Sequence, residues 1–490
     1  MRAQQNVLLV LVAVATMTAA WAGGAFAQSK SYSPGGSTGI GTDKPPRDDG
    51  RYRGRDRSEP APDGATTIPR DRRRLIEERI RDRASDGVPP SSRRPPQRAT
   101  TRSPSGAPPA GERRLVPDEV LVEVSNNISP ETLSGIETRH RLTRLETQTL
   151  QLTGSTLTRW RIPDRRSVAA VVRQLEADSA VVSAQPNYLY TLQQTKAANE
   201  GNPSQYELAK LHLPQAHELA KGANVLVAVV DSGVDASHPE IRGSIAGTFD
   251  AIAFLPGLNK HGTAIAGLIA AHDTLMGAAP GARILAVRVI SGMGSGASWD
   301  IVKGLDWAAA SGARIINMSF AGPSDPAALR TLNAAYAKGI ILIAAAGNAG
   351  PKSPPLYPAA YPNVIAVTAT DAKDRLFAPS NRGNYIAVAA PGAELLVATP
   401  GGFFEVSSGT SFSAAQVSGI VALMLERKPN QSPDQVRAIL LSTARDLGPK
   451  GSDSQFGAGL VDAYGALMAN EPAATTATPR PIELISTGVR

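Results

Sequence analysis

From residue 226 to residue 443 the chain alternates two kinds of pattern, and this alternation limits the fold more than any other feature. Continuous apolar runs occupy 226–230, 284–290, 315–320, 340–346, 364–370 and 386–390. Helical patterns at 261–271, 298–310, 325–338, 410–425 and 433–443 separate several of them. A strand with no polar alternation is buried on both faces, as the strands of parallel sheets are. The pattern therefore predicts an α/β domain at 201–470, a mostly parallel sheet with helices on both faces. In such sheets chemistry gathers beyond the carboxyl ends of the strands.

The preceding segments differ in kind. Residues 1–27 carry Arg2, an apolar run at 7–20 and the small-x-small triplet Ala25-Phe26-Ala27, the pattern of a cleaved export signal. The run is short for a membrane span. The expected location is periplasmic or extracellular, with a membrane attachment only if the signal stays uncleaved. Residues 28–112 are rich in Pro, Gly, Ser and Arg and too poor in large apolar residues to offset their ordering entropy, so a disordered leader is expected. Residues 113–194 regain order: a strand at 120–124, a helix opened by Ser129-Pro130, a hairpin of 145–152 and 156–162, a helix capped by Ser167, and a strand at 181–190. The order β-α-β-β-α-β predicts a small ferredoxin-like α+β domain. Residues 193–204 are polar and suit an exposed linker, and 471–490 suit a polar tail. His140 is expected to be an exposed helix-end residue.

Charge and cysteine content remove whole classes of function. The net charge is +8, but 28–112 hold 18 Lys/Arg against 12 Asp/Glu, whereas 201–470 hold 19 against 19. The basicity belongs to the leader, and the large domain has no footprint for nucleic acid. The absence of cysteine excludes disulfides, thiolate metal sites and a cysteine nucleophile.

Four positions carry chemistry. Ser411 stands in Ser408-Gly409-Thr410-Ser411-Phe412, where a Gly-rich approach turns into a helix with apolar residues at Val417, Ile420, Val421 and Met424. A helix N-terminus presents unpaired N–H groups and favours negative charge, which suits a nucleophile whose product is an oxyanion. Gly409 lacks a Cβ, so another chain can approach its backbone closely. Asp231 follows an apolar run in Val229-Val230-Asp231-Ser232-Gly233; His261 opens a helix in His261-Gly262-Thr263; Asn348 follows another run in Ala344-Ala345-Ala346-Gly347-Asn348. Each alone fits a turn or a cap. Together all four lie at strand ends or helix starts of one α/β domain, where they could converge.

These four motifs, in this order, resemble the signatures of the subtilisin-like serine proteases, the subtilases, over about 201–468. The resemblance implies a secreted, self-processing serine endopeptidase acting on proteins or peptides. Ser411 would be the nucleophile, His261 the base, Asp231 its orienting carboxylate and Asn348 the oxyanion donor. Residues 113–194 would be a propeptide that chaperones and inhibits the domain that follows, with self-cleavage between about 190 and 200. Ser319, Phe320, Ala321 and Gly322, with Ala345 and Gly347, would flank an extended substrate and form its primary pocket, favouring neutral, apolar side chains. No cofactor is required.

Two departures and one match stand out. Ala264 replaces the second His common after His-Gly-Thr in the family. Phe412-Ser413-Ala414-Ala415-Gln416 replaces Met-Ala-Ala-Pro-His. Glu240 occupies the position of a calcium ligand in relatives, but too few other ligands are identifiable to support calcium, and no metal site is expected. His238 precedes Pro239 in a loop and is read as structural; His212, His217 and His272 lack a motif.

Overall fold

The computed structural model describes residues 105–196, 205–252 and 257–469. The expected signal, the part of the expected leader before residue 105 and the expected tail at 471–490 lie outside them. Residues 105–112, expected to belong to the disordered leader, are instead placed against the smaller lobe: the Ser105 hydroxyl and the Gly106 N–H donate to the Glu176 carboxylate, and Ala107 packs on the core. The smaller lobe runs β1 (Leu115–Ser125), α1 (Pro130–His140), β2 (Thr143–Leu150), β3 (Ser155–Arg161), α2 (Val168–Leu175) and β4 (Ser183–Leu192), and is followed by β5 (Thr195–Lys196). Sequence chemistry sets the helix starts. Ser129 accepts from the Thr132 N–H with Pro130 in the first turn, and Ser167 accepts from the Ala170 N–H. The sheet order β4-β1-β3-β2 is antiparallel throughout, the ferredoxin-like arrangement. Alternation along β1 splits its faces. Val120, Val122 and Val124 pack with Ile136, Val171 and Leu175, while Leu121 packs with Trp299 and Val302 of the larger lobe. His140 departs from expectation: its Nε2 lies 2.9 Å from Asp178 Oδ2, and the side chain is mostly buried.

The larger lobe begins with the one-turn helices α3 (Tyr206–Lys210) and α4 (Leu213–His217). It continues as β6 (Leu226–Asp231), β7 (Ile245–Asp250), α5 (Lys260–Ala270), β8 (Arg283–Arg288), β9 (Ser295–Ala297), α6 (Ser298–Ala310), β10 (Ile315–Met318), β11 (Phe320–Ala321), α7 (Pro326–Ala337), β12 (Ile341–Ala345), β13 (Val364–Thr370) and β14 (Ile386–Pro391). It closes with β15 (Leu395–Thr399), β16 (Phe403–Ser408), α8 (Thr410–Arg427), α9 (Pro433–Thr443) and α10 (Ala463–Ala469). The 7-stranded sheet has the order β14-β13-β12-β10-β6-β8-β7, and every pairing is parallel. Its two faces carry separate cores. Val227 and Val229 pack with Ile265, Ile269 and α8 residues such as Val417 and Ile420; Ala228 and Val230 pack with Ile301 and Leu305 of α6 and Leu332 of α7. Helix α8 is buried from Thr410 to Leu425 and runs under β10, β12, β13 and β14, so its N-terminus is held as rigidly as the sheet.

The second core also contains Tyr188 and Tyr190 of the smaller lobe. Strand β4 extends past its own sheet and enters the larger lobe between two short strands. It pairs antiparallel with β9 on one side (Tyr190 with Gly296) and with β11 on the other (Leu192 with Phe320). After Gln194 the chain continues as β5 against β16.

Candidate active site

The site is assembled where β6, β12, α5 and α8 end or begin. Asp231 closes β6 and is fully buried. Its Oδ1 accepts from the Ser232 N–H at 2.7 Å and the Ser232 hydroxyl at 2.9 Å, which fixes the carboxylate. His261 sits in the first turn of α5, whose cap Asn259 accepts from the His261 N–H at 3.0 Å. The imidazole Nδ1 lies 2.9 Å from both carboxylate oxygens of Asp231. An Nδ1 against a carboxylate carries the proton, so in the neutral ring Nε2 is the acceptor. That Nε2 is buried and has no hydrogen-bond partner.

Asn348 follows β12 and is oriented by α8. Gly409 caps that helix without a side chain, and Asn348 Oδ1 accepts from the Thr410 N–H at 3.1 Å and the Thr410 hydroxyl at 2.9 Å. A backbone N–H can only donate, so the amide oxygen faces the helix and Nδ2 faces away from it. Asn348 Nδ2 is buried and also lacks a partner.

Ser411, one residue into α8, is covered. Its Oγ donates to the Gln193 carbonyl at 2.6 Å and to the Ser319 carbonyl at 3.0 Å. Sequence reasoning expected residues 193–204 to be an exposed linker. Instead Gln193 is buried in the site, because β4 supplies main-chain partners that its polar composition does not reveal. The Gln193 N–H donates to the Ser319 carbonyl at 3.3 Å, and its side-chain Oε1 accepts from the Asn348 N–H at 2.8 Å. Gly409 makes room for this segment: a Cβ there would lie 2.5 Å from the Gln193 carbonyl oxygen, 3.0 Å from Gln194 Cα and 3.1 Å from Asn348 Nδ2. An extended chain thus has one carbonyl held at a serine hydroxyl and runs past the partnerless amide of Asn348, while the carboxylate-bound imidazole of His261 lies 5.9 Å, ring to ring, from Phe412, the residue after that serine. Those are the parts of an acyl-transfer site.

Residues 222–459 match the subtilase family. Thermitase of Thermoactinomyces vulgaris is 36% identical over 272 residues, which are 54% of this chain and 96% of thermitase. The subtilisin of Bacillus pumilus is 37% identical over 273 residues, 53% of this chain and 98% of that protein. Among solved structures, fervidolysin from Fervidobacterium pennivorans, described as a keratinolytic enzyme related to subtilisin, superposes with a TM-score of 0.63 at 26% identity. That match covers 76% of this chain and 63% of fervidolysin.

The chain belongs to the subtilase family. It is a subtilisin-like serine endopeptidase, acting on protein or peptide substrates.

Within this subtilase the structure separates the expected substrate residues. Ser319, Phe320 and Ala321 border the extended segment through the contacts already given. Phe320 and Gly322 face Tyr190, three residues before Gln193, rather than forming a pocket around Gln193 itself. Ala345 lies in the apolar core with α8, and Gly347 donates its N–H to Thr410 Oγ1 at 3.2 Å behind the site. The residue whose carbonyl meets the serine, Gln193, is polar rather than apolar. The opposite wall, β9, was not foreseen; its three residues are too few for a periodic signal.

The two sequence departures, and Glu240, have local accounts. Ala264 is buried in the core beside Ile265. Gln416 donates to the Pro391 carbonyl at 2.7 Å, and Ser413 donates to Ala390 and Pro391, so Phe412–Gln416 is tied to the end of β14. Glu240 is buried and spends its carboxylate on the N–H groups of Asp273, Thr274 and Leu275, at 3.3, 3.0 and 2.9 Å. Among the described residues no group of three or more His, Cys, Asp or Glu could hold a metal ion. His238 accepts from the Glu240 N–H and reaches the Phe403 carbonyl at 3.1 Å, a structural role.

Proposed function

We propose that this subtilase is an exported enzyme made as a precursor, which cuts itself between Gln193 and Gln194 and is then held inhibited by the smaller lobe, its propeptide. Asp231, His261 and Ser411 form the triad. The observation that carries this reading is the Gln193 carbonyl, hydrogen-bonded to Ser411 Oγ at 2.6 Å in an extended strand clamped on both sides.

In the described geometry Ser411 Oγ donates to carbonyls rather than to His261, so the first step is a rotation of the hydroxyl toward the partnerless Nε2. Ser411 Oγ then attacks the Gln193 carbonyl carbon while His261 takes its proton, and Asp231 stabilises the imidazolium. The developing oxyanion is taken up by Asn348 Nδ2 and the backbone N–H of Ser411, which lies in the first turn of α8 where N–H groups lack intrahelical partners. His261 returns the proton to the Gln194 amine, the Gln193–Gln194 bond breaks, and water later releases the acyl group by the reverse sequence. Strand pairing to β9 and β11 outlasts the cut, which accounts for inhibition by the severed lobe.

Export is supported by the sequence of residues 1–27. Among the described residues no helix is long and apolar enough to cross a membrane. A fluorophosphonate probe tests the nucleophile. The matured wild type is labelled and Ser411→Ala is not; equal labelling of both would reject Ser411.

A further inference from the structure

The clamped segment carries a second recognition element, three residues before the carbonyl. Tyr190 is fully buried, with its ring edge-on to Phe320 at 5.6 Å between centroids. Gly322 forms the other wall: a Cβ there would lie 2.5 Å from the Tyr190 ring, so only glycine admits it. At the end of this slot stands Asp325, fully buried, which accepts from the Tyr190 hydroxyl at 3.0 Å.

The Asp325 carboxylate has three other donors: Gln185 Nε2 at 2.7 Å, the Ala328 N–H at 3.0 Å, and the Ser298 hydroxyl. Tyr361 locks the same residue from behind, accepting from the Asp325 N–H at 2.8 Å and donating to its carbonyl at 2.9 Å. Two of the four carboxylate donors, Tyr190 and Gln185, belong to the smaller lobe. Ser298 and Ala328 belong to the larger lobe. Once the lobe leaves, a carboxylate with half its donors stands at the end of a slot walled by Phe320 and Gly322, and a substrate that fills the slot covers it again. Burial, with the Asp325 charge beside it, holds the Tyr190 phenol well above its ordinary pKa, so the hydroxyl remains a donor.

We infer that Asp325 is a specificity-determining residue that selects tyrosine over phenylalanine at the fourth position before the scissile bond, so that preferred substrates carry a phenol there. The inference rests on the catalytic reading above and deepens it. A site built around a hydrogen bond to a substrate hydroxyl penalises the analogue without it, because the buried acceptor is left short. Hydrogen bonds to charged groups put the expected preference at roughly ten- to hundredfold.

The test compares tetrapeptide anilides Tyr-Thr-Leu-Gln and Phe-Thr-Leu-Gln on the matured wild type. A tyrosine preference of about tenfold or more in kcat/KM, collapsing in Asp325→Asn, is the expected result. Asparagine keeps the helix cap and cannot supply the charge. Equal rates on the wild type overturn the inference. A second measurement does not need turnover. In the full-length Ser411→Ala chain, Tyr190→Phe lowers the folding equilibrium constant about tenfold when Asp325 is present and much less beside Asp325→Asn. Absence of this coupling also overturns it, whereas coupling without hydrolysis of either peptide would reject the catalytic reading and leave the Asp325 contact standing.

Discussion

Two buried polar clusters lie along the same extended segment and are finished in opposite ways. At Asp325 every carboxylate lone pair in use meets a donor, four in all, and the residue's own N–H and carbonyl are bonded as well. At the proposed triad, His261 Nε2 and Asn348 Nδ2 are buried and bonded to nothing, although their other ends are fixed by Asp231 and Thr410. Buried polar atoms without partners are rare because each costs about 1–3 kcal/mol. The saturated cluster does its work in the ground state and contributes to holding the segment. The unsaturated one keeps its donor and acceptor for groups that exist only as the reaction proceeds, which is where binding accelerates chemistry.

The contrast predicts that the two clusters fail differently. His261→Ala carries the largest effect, a fall in kcat of about 10⁶-fold, the scale known for the matching histidine of subtilisin; steady-state hydrolysis of a peptide anilide measures it. Asn348→Leu lowers kcat by about 10²- to 10³-fold with KM little changed, again on the subtilisin scale. Equal damage to both constants would mean that the amide binds substrate and not the oxyanion. Asp325→Ala falls on the other side. In the full-length Ser411→Ala chain it costs roughly 3 kcal/mol, by loss of a helix cap and of hydrogen bonds to buried donors, and thermal melting reads it as a lowered Tm. If Asp325→Ala leaves Tm unchanged, the saturated cluster is not a structural clamp.

An effect of at most similar size, and dependent on pH, comes from acid–base groups away from both clusters. Burial pushes Glu207 up to about 7, against opposing hydrogen bonds from its own backbone N–H and Gln205. A carboxylate raised in the fold favours folding below its unfolded value near 4.5, and that contribution is lost as pH rises to about 7. Asp178 has the reverse sign. Its burial opposes ionisation, but hydrogen bonds from Arg139, His140 and the Ala180 N–H hold it down to about 2, so its contribution is present above pH 4 and disappears toward pH 2. Glu207→Gln should therefore raise Tm at pH 8 more than at pH 4, by up to about 3 kcal/mol of stability. A uniform shift across that range would contradict the assignment.

Much of the fold could be read from the chain because its central strands are apolar without interruption. Helices 298–310 and 433–443 begin and end where their patterns do, and Ser432 and Gln435 form a reciprocal cap for the second. Strand β7 escaped notice because Gly247 and Thr248 break its pattern and its burial alternates. The hairpin β15–β16 escaped because its second strand begins with the exposed Phe403 and Phe404 and so lacks a buried apolar run. The proposed catalytic residues stood out because each sits in a short motif, and at Gly409 the backbone itself demands the motif's residue. Gln193 and Asp325 did not. A polar residue past a domain's last strand looks like linker, and an Asp before Pro326 looks like a helix cap, which it also is. Their second roles arise only when two segments distant in sequence meet.

The most direct test of the account is the amino terminus of the matured protein. N-terminal sequencing or intact mass should give a chain starting at Gln194 from the wild type, while Ser411→Ala keeps residues 193 and 194 joined. A start at another residue, or the same shortening in Ser411→Ala, would contradict the claim that the Gln193 carbonyl is the one presented to Ser411.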